Sequence, residues 1–155
     1  MGLHFDLGEY IQEIGTVSGS YRDHQVLVRP DKPAIIVDFR ERAHGLDLST
    51  FWDGRRGKDV ILDSGHRAFD RLFKKRHVSS VVAEKLKRHP EIFEQTVQFH
   101  RRWRWLVAQI DVWETNLSTW WRGSISPYIS ASEMEASLPD MLDLIEAYER
   151  AIITE

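Results

Sequence analysis

A segment that mixes arginines with aromatic residues is the first place in this sequence where side-chain type and spacing could do chemistry. It reads Phe99-His-Arg-Arg-Trp-Arg-Trp105, and the basic runs Lys74-Lys-Arg-His77 and Lys85-Leu-Lys-Arg-His89 precede it. Arginine and lysine neutralise phosphates, and aromatic rings stack on exposed bases, so this composition is typical of a surface that binds nucleic acid. Within the basic 66–105 segment the candidate nucleic-acid contacts are Arg67, Arg71, Lys74, Lys75, Arg76, Lys85, Lys87 and Arg88.

The opposing interpretation assigns the aromatic residues of this segment to the core and its arginines to a solvated face. Trp103 lies on a stripe of apolar residues at helical spacing, which favours burial over contact with a ligand. We favour this interpretation. The residues that lie off the stripe are then the predicted contacts of a protein partner: Trp105, Trp121, Arg101, Arg102 and Arg104.

The charge is unevenly distributed along the chain, although the net charge is only -3. Residues 66–105 hold 11 Lys/Arg and 4 Asp/Glu, whereas residues 106–155 hold 2 and 9. Such asymmetry indicates either a basic face for an anionic partner or an acidic third that folds back on the basic third. The position of the acidic last helix relative to the basic segment should decide between these two interpretations.

Two smaller constellations have spacings that also arise by chance. Arg71 and His77 stand at about the spacing with which certain helical ribonucleases place a phosphate ligand and a general base. With 7 His in 155 residues, roughly two such pairs are expected by chance. Asp63, His66 and Asp70 could lie on one side of a helix, but metal binding needs at least three ligands and no metal motif is present. We predict neither a metal nor a cofactor.

Several classes of function lack their sequence signals. The chain has no cysteine, which excludes disulfides and thiolate chemistry. The sequence Gly54-Arg-Arg-Gly-Lys58 lacks the gap and the Ser/Thr of a phosphate loop, and no GxSxG turn occurs. We therefore lean against an enzyme. No uncharged apolar stretch of 18 residues and no basic start with an apolar run occur, so we expect a cytoplasmic protein without membrane contact.

The elements that would position these residues are mostly helical by pattern. A hairpin is predicted at about 25–40, since Gln25–Arg29 and Ala34–Arg40 are rich in β-branched residues and flank two prolines. Glu41–Asp63 reads as an irregular connection, with Phe51 and Trp52 packed on the core and a short strand at Val60–Leu62. Helices are predicted at Phe5–Ile14, from Ser64 to about Arg76, from Ser79 or Ser80 to His89, at Glu91–Arg122 and at Pro139–Ile153, the last capped by Ser137.

The predicted helix at about 91–122 is the dominant feature of the pattern. Its apolar stripe comprises Ile92, Phe99, Trp103, Leu106, Ile110, Trp113, Leu117 and Trp120, and we assign these residues to the core. Thirty-two residues of helix would measure about 48 Å, whereas a domain of this size is only roughly 40 Å across. This length means that the helix is broken, projects, or is covered by a second subunit.

The prediction is therefore a single domain, 1–155, of the α+β class and mainly α. It consists of a helical bundle around a long Trp-rich helix (about 91–122) with a short N-terminal β-hairpin. The corresponding function is that of a small binding or regulatory protein that acts through a protein partner or a homodimer. Nucleic-acid binding by the 66–105 segment is the alternative, and a metal-independent ribonuclease is a distant third.

Overall fold

The structure is a computed structural model, which describes residues 17–29, 34–52, 60–104, 107–121 and 131–154. Its strands are β1 (Val17–Tyr21), β2 (His24–Arg29), β3 (Ala34–Asp38), β4 (Leu46–Ser49), β5 (Val60–Ile61), β6 (Lys75–Val78), β7 (Gln109–Trp113) and β8 (Asn116–Trp120). Its helices are α1 (Arg67–Leu72), α2 (Ser80–Lys87), α3 (Glu91–Arg102) and α4 (Ala131–Ile152).

All eight strands belong to one sheet, in the order β1-β2-β3-β8-β7-β4-β6-β5, and every neighbouring pair is antiparallel. One face of this sheet packs on the helices and contributes alternate strand residues to the core, as the pleat requires. We call the opposite face the outer face. The predicted helical bundle with a short N-terminal hairpin is therefore wrong, because strands between Val17 and Trp120 form one large sheet that organises the fold.

The long helix predicted at 91–122 ends at Arg102, and β7 and β8 form a hairpin where its second half was expected. Ile110 and Val112 are buried on the helix side, whereas Asp111 and Trp113 alternate with them on the outer face. This period of two is the signal of a half-buried strand. The residues Ile110, Trp113, Leu117 and Trp120 have helical spacing only by coincidence, since Trp113 and Trp120 lie on the other side of the sheet. Because α3 ends at Arg102, the length predicted for this helix no longer indicates a protein partner.

Other predicted elements are present with different bounds. The two strands of the expected hairpin are β2 and β3, and Val60–Ile61 is β5, but each is one strand of the large sheet. The helix expected from Ser64 to Arg76 stops at Leu72, because Lys75–Val78 pairs with β4 as a strand. Ser79 caps α2 as predicted, with its hydroxyl accepting from the Val82 N–H. The prediction at Phe5–Ile14 lies outside the described residues.

The last helix begins at Ala131, before the predicted start near Pro139. Ser137 is buried, and its hydroxyl donates to the Met134 carbonyl oxygen at 2.7 Å instead of capping a helix start. Helix α4 packs on α2, α3, β3 and β8. Its Tyr148 is fully buried, with its hydroxyl 3.0 Å from that of Thr96 on α3. Burial raises the pKa of Tyr148, so this hydroxyl stays protonated.

The β1–β2 hairpin is tied to α4 by charged groups. Arg22 and Asp23 form its two-residue loop with φ of 49° and 63°, the left-handed values that a tight hairpin turn requires. Arg22 contacts Asp143 at 2.7 Å, and this hydrogen bond raises the pKa of the guanidinium. The imidazole Nε2 of His24, which is fully buried, lies 3.0 Å from the carboxylate of Glu149.

Gly45 precedes β4 and links it by hydrogen bonds to the start of α2 and to the turn between β7 and β8. Its carbonyl oxygen accepts from the Ser79 N–H at 2.8 Å, and its own N–H donates to Glu114 at 3.0 Å. Its φ of +81° is left-handed, and a Cβ at this position would lie 2.6 Å from the Ser79 hydroxyl. Glycine is therefore required here for conformation and for space.

Candidate functional site

Four neighbouring strands at one end of the sheet align a row of side chains on the outer face. Asp47 of β4 pairs in register with Trp113 of β7 on one side and with His77 of β6 on the other. His77 in turn pairs with Ile61 of the edge strand β5. Because neighbouring strands are about 4.8 Å apart, the row from Trp113 to Ile61 spans about 14 Å. It is long enough for an extended segment of another protein to lie across it.

A second row, two residues further along the strands, is polar and comprises Asp111, Ser49 and Lys75. Ser49 donates a hydrogen bond to Asp111 at 2.5 Å, and the Gln109 amide donates to both oxygens of the same carboxylate at 3.1 and 2.9 Å. Between the two rows, the Lys75 ammonium lies 2.7 Å from the Asp47 carboxylate. Lys75 and Gln109 are buried although they lie on the outer face. These hydrogen bonds fix the positions of both carboxylates before any ligand arrives.

The two rows enclose a cavity of about 210 Å³ on the outer face. Trp113 and Phe51 contribute its aromatic walls, and Leu48 also lines it. The polar residues of the lining are Asp47, Ser49, Lys75, Gln109 and Asp111. A mixture of aromatic walls and a few convergent polar groups is what binding cavities commonly show. We call this space the Trp113 cavity.

Trp113 also borders a second cavity, of about 350 Å³, which Asp47 and Glu114 line as well. Glu114 accepts hydrogen bonds from Arg42 and from the Gly45 N–H, and these, in that order, hold its pKa below the ordinary value. Trp113 therefore borders two cavities that both contain fixed carboxylates. In the second cavity the Glu114 carboxylate is paired with Arg42, which also lines that cavity.

Large apolar side chains are exposed around these cavities. The exposed fractions are 45% for Phe51, 44% for Trp52, 69% for Ile61 and 53% for Trp113. Phe51 meets Trp113 at the Trp113 cavity, whereas Trp52 lies against His77, with ring centroids 6.1 Å apart, next to Ile61. We call these four residues the outer aromatic patch.

Sequence reasoning placed this patch incorrectly. Trp113 was assigned to the core through its helical spacing, and Phe51 and Trp52 were expected to pack on the core. The available signal was the period-two alternation of Leu46 and Leu48 with polar neighbours, which marks β4 as a half-buried strand. Sequence alone could not show that β4 pairs with β7, because the paired residues Asp47 and Trp113 are 66 positions apart in the chain (113 − 47) and only folding sets that register.

The arginines predicted to contact a protein partner lie away from the outer aromatic patch. Arg101 and Arg102 are in the last turn of α3, and Arg104 follows it; all three are exposed. Arg102 contacts Asp140 at 3.2 Å and lies over the Trp103 ring, so it is partly engaged within the chain. Of the two tryptophans predicted with them, Trp121 follows β8 and is half-buried, whereas Trp105 lies outside the described residues.

The basic residues of the 66–105 segment fall into two groups. Lys75, Arg76 and Lys85 are engaged inside the fold: Lys75 with Asp47, Arg76 with backbone carbonyls, and Lys85 with the carbonyl oxygen of Ile152 at 2.9 Å. The others are exposed on or beside the helices: Arg67, Arg71, Lys74, Lys87 and Arg88.

The last helix contacts the basic segment through Asp140, which pairs with Arg102, and through the Ile152 carbonyl oxygen, which accepts from Lys85. Asp143 and Glu146 instead contact Arg22, and Glu149 contacts His24. Three of the acidic residues of α4 therefore lie against the β1–β2 hairpin. The asymmetry in the sequence is only partly internal, and a basic surface remains on α1 and at the ends of α2 and α3.

The remaining constellations are separated or otherwise engaged. Arg71 belongs to α1 on the helix side of the sheet, whereas His77 lies on the outer face, so the two do not share a site. His66 caps α1 through Nδ1 and contacts Glu94 through Nε2 at 2.7 Å. Asp70 accepts from Ser64 at 2.7 Å. In the described part of the chain, no three His, Asp or Glu side chains form a group that could hold a metal ion.

Comparisons with protein-family models, with curated proteins and with solved structures found no match to the chain. Among the described residues, no helix is long and apolar enough to cross a membrane.

Proposed function

We propose that this chain is a binding protein that holds another protein, or a second copy of itself, on the outer aromatic patch. The observation that carries this proposal is the exposure of Phe51, Trp52, Ile61 and Trp113 together at one end of the sheet. Single exposed apolar residues are common on protein surfaces, but several in one patch mark interaction sites. Tryptophan is also among the residues that dominate the energetics of interfaces.

The edge of the sheet supports the same use. Strand β5 ends the sheet and carries Ile61 on the outer face, directly beside the row that Trp113 begins. An edge strand offers unpaired backbone groups to an incoming strand, and alternate side chains then fall into neighbouring pockets. A partner that adds a strand at β5 would place alternate side chains beside Ile61 on the outer face.

The apolar patch alone does not give a tight complex. Full burial of a large apolar side chain contributes about 1.5–3 kcal/mol, and these four are already about half-buried. Together they would contribute roughly 4 kcal/mol, which is no more than the cost of association. Polar contacts must therefore contribute to affinity, and the fixed carboxylates beside Trp113 are the groups in position to do so.

The proposal is tested by placing a charge in the patch. Ile61→Asp adds a carboxylate at the edge of the patch, and Trp113→Thr removes the indole while keeping a residue that favours strands. Val81→Asp is the matched control, since Val81 is 63% exposed on α2, outside the patch. A tagged chain is co-expressed with an untagged copy in its own cells, and proteins that co-purify are quantified by mass spectrometry.

A protein retained by the wild type and by Val81→Asp should be lost from both patch variants. If the untagged copy is that protein, sedimentation velocity should show a dimer that becomes a monomer in Ile61→Asp. Circular dichroism and the melting temperature verify that each variant is folded. An unchanged set of bound proteins in two folded patch variants would contradict the proposal.

Nucleic-acid binding is the second candidate, and the exposed arginines of α1 and α3 favour it. Arg67 and Arg71 lie one turn apart on α1, and they, Arg101 and Arg104 form no ion pair with any residue that the structure describes. Binding to labelled RNA or DNA should weaken steeply with salt, because each phosphate contact releases counterions. The salt slope should fall when Arg67, Arg71 and Arg101 are replaced by Ala. A flat salt response would remove this candidate.

A further inference from the structure

Among the residues that the structure describes, the lining of the Trp113 cavity has a surplus of negative charge. Its lining contains two carboxylates, Asp47 and Asp111, against one ammonium group, that of Lys75. The ammonium group of Lys75 is paired with Asp47, at 2.7 Å from its Oδ2 atom, and does not balance the charge of the whole cavity. Anionic ligands are therefore disfavoured, and a cation would restore the balance of charge.

The hydrogen bonds in the cavity leave several acceptors free. The Gln109 amide nitrogen lies within hydrogen-bond distance of both oxygens of Asp111, and the Ser49 hydroxyl also donates to that carboxylate. Neither Oδ1 of Asp47 nor Oε1 of Gln109 accepts a hydrogen bond from the residues that the structure describes. A carboxylate accepts about four hydrogen bonds in all, so Asp111 also keeps spare capacity. These free acceptors favour a ligand that donates hydrogen bonds.

The aromatic walls narrow the choice among donors. The faces of Trp113 and Phe51 carry the negative side of their quadrupoles, which attracts a cation placed over the ring. Arginine suits this arrangement better than lysine, because its planar guanidinium stacks on a ring while its N–H groups reach carboxylates in the ring plane. The carboxylate of Asp111 is already held by Ser49 and Gln109, so little ordering is needed on binding.

We propose that the Trp113 cavity binds an arginine side chain of the protein that docks on the outer aromatic patch. This inference rests on the proposed function and specifies the chemistry of the partner. The guanidinium stacks on the Trp113 indole and donates to Asp111 and Asp47, and the flanking residues of the partner cover Phe51 and Ile61. The partner is thus recognised by a basic side chain within an apolar segment.

The probe for this site is the short peptide acetyl-Gly-Arg-Gly-amide, titrated into the full chain and followed by the NMR signals of the Trp113 indole and the Gln109 amide. The matched peptides carry citrulline, lysine or glutamate in place of arginine, and a neutral disaccharide serves as a further ligand. Citrulline has the shape of arginine without its charge. We expect the arginine peptide to bind at least about tenfold more tightly than the citrulline peptide, since charge-assisted hydrogen bonds contribute about 1.5–3 kcal/mol.

Variants of the chain test the assigned contacts. Asp111→Asn and Asp47→Asn should each weaken the arginine peptide about tenfold or more, because each removes a charged acceptor. Trp113→Leu should weaken it while leaving both carboxylates in place. Glu84→Gln is the matched control, since Glu84 is an exposed carboxylate on α2, and it should change nothing. Melting temperatures verify that each variant is folded.

The outcomes separate this inference from the proposed function. Equal binding of arginine and citrulline, preference for glutamate or the disaccharide, or no binding of the arginine peptide up to its solubility would each overturn the arginine site. Loss of a co-purifying protein in Ile61→Asp would still support protein docking in any of these cases. If that protein is retained by Ile61→Asp and the chain still binds the arginine peptide selectively, the Trp113 cavity is an arginine site. The outer aromatic patch is then not the docking surface, and the arginine site is no longer tied to a protein partner.

Discussion

The buried pair Thr96 and Tyr148 makes an asymmetric prediction about the contact between α3 and α4. The Thr96 hydroxyl donates its single hydrogen to the Ile92 carbonyl oxygen at 2.7 Å, so the Tyr148 hydroxyl must be the donor in their 3.0 Å contact. Tyr148→Phe removes that donor and leaves no group unpaired. It should therefore reduce the free energy of unfolding by only about 1 kcal/mol, the net contribution of one hydrogen bond.

Thr96→Val should have a greater effect at the same contact. It preserves shape but leaves the fully buried Tyr148 hydroxyl without an acceptor, which should cost about 1–3 kcal/mol. The double variant contains no unpaired hydroxyl and should be nearly as stable as Tyr148→Phe alone. Urea denaturation of the four proteins gives the coupling energy directly. A Thr96→Val effect smaller than that of Tyr148→Phe, or additivity of the two, would refute the assignment of donor and acceptor.

Three further predictions concern other parts of the fold. Gly45→Ala should lower the free energy of unfolding by about 2–4 kcal/mol in denaturant titrations, because it combines a left-handed conformation with a clash against Ser79; no change would contradict that geometry. Glu114→Gln should cost at most about 1 kcal/mol at pH 7, because the ion pair with Arg42 is exposed. Since the folded pKa of Glu114 is lowered from 4.5, its contribution is present above that pH and is lost as the pH falls through the folded pKa, so the two unfolding curves should converge in acid. Phe93→Ala should lower the free energy of unfolding by about 3–5 kcal/mol in the same titrations, because Phe93 is only 1% exposed in the core. A much smaller loss would mean that the core collapses into the cavity left by the ring.

The sequence predicted local features of the fold better than its architecture. Ser79 as a helix cap and the strands that became β2 and β3 were identified because capping and β-branched runs are local signals. The helix predicted through residues 91–122 was wrong because Ile110, Trp113 and Leu117 have helical spacing, although the same stretch alternates buried Ile110 and Val112 with Asp111 and Trp113 as a strand does. Only the pairing of β7 with β4 resolves the ambiguity, and that contact joins residues distant in the sequence.

The candidate site was hidden from the sequence for the same reason. Asp47, Lys75 and Asp111 come from three strands and form one cavity only because β4 lies between β6 and β7. The basic 66–105 segment is divided by the fold, since Lys75 is buried on the outer face while Arg67 and Arg71 face solvent on α1. A run of like charges in a sequence is thus a poor guide to a surface when strands and helices alternate within it.

The measurement that tests protein docking on the outer aromatic patch most directly is quantitative co-purification with the wild type, Ile61→Asp and the control Val81→Asp, in the presence of an untagged copy of the chain. Both substitutions place a carboxylate at a similarly exposed position, 69% for Ile61 and 63% for Val81. The patch predicts that a bound protein, whether a partner or the untagged copy, is retained by Val81→Asp and lost by Ile61→Asp. Retention of the same protein by a folded Ile61→Asp variant would contradict it.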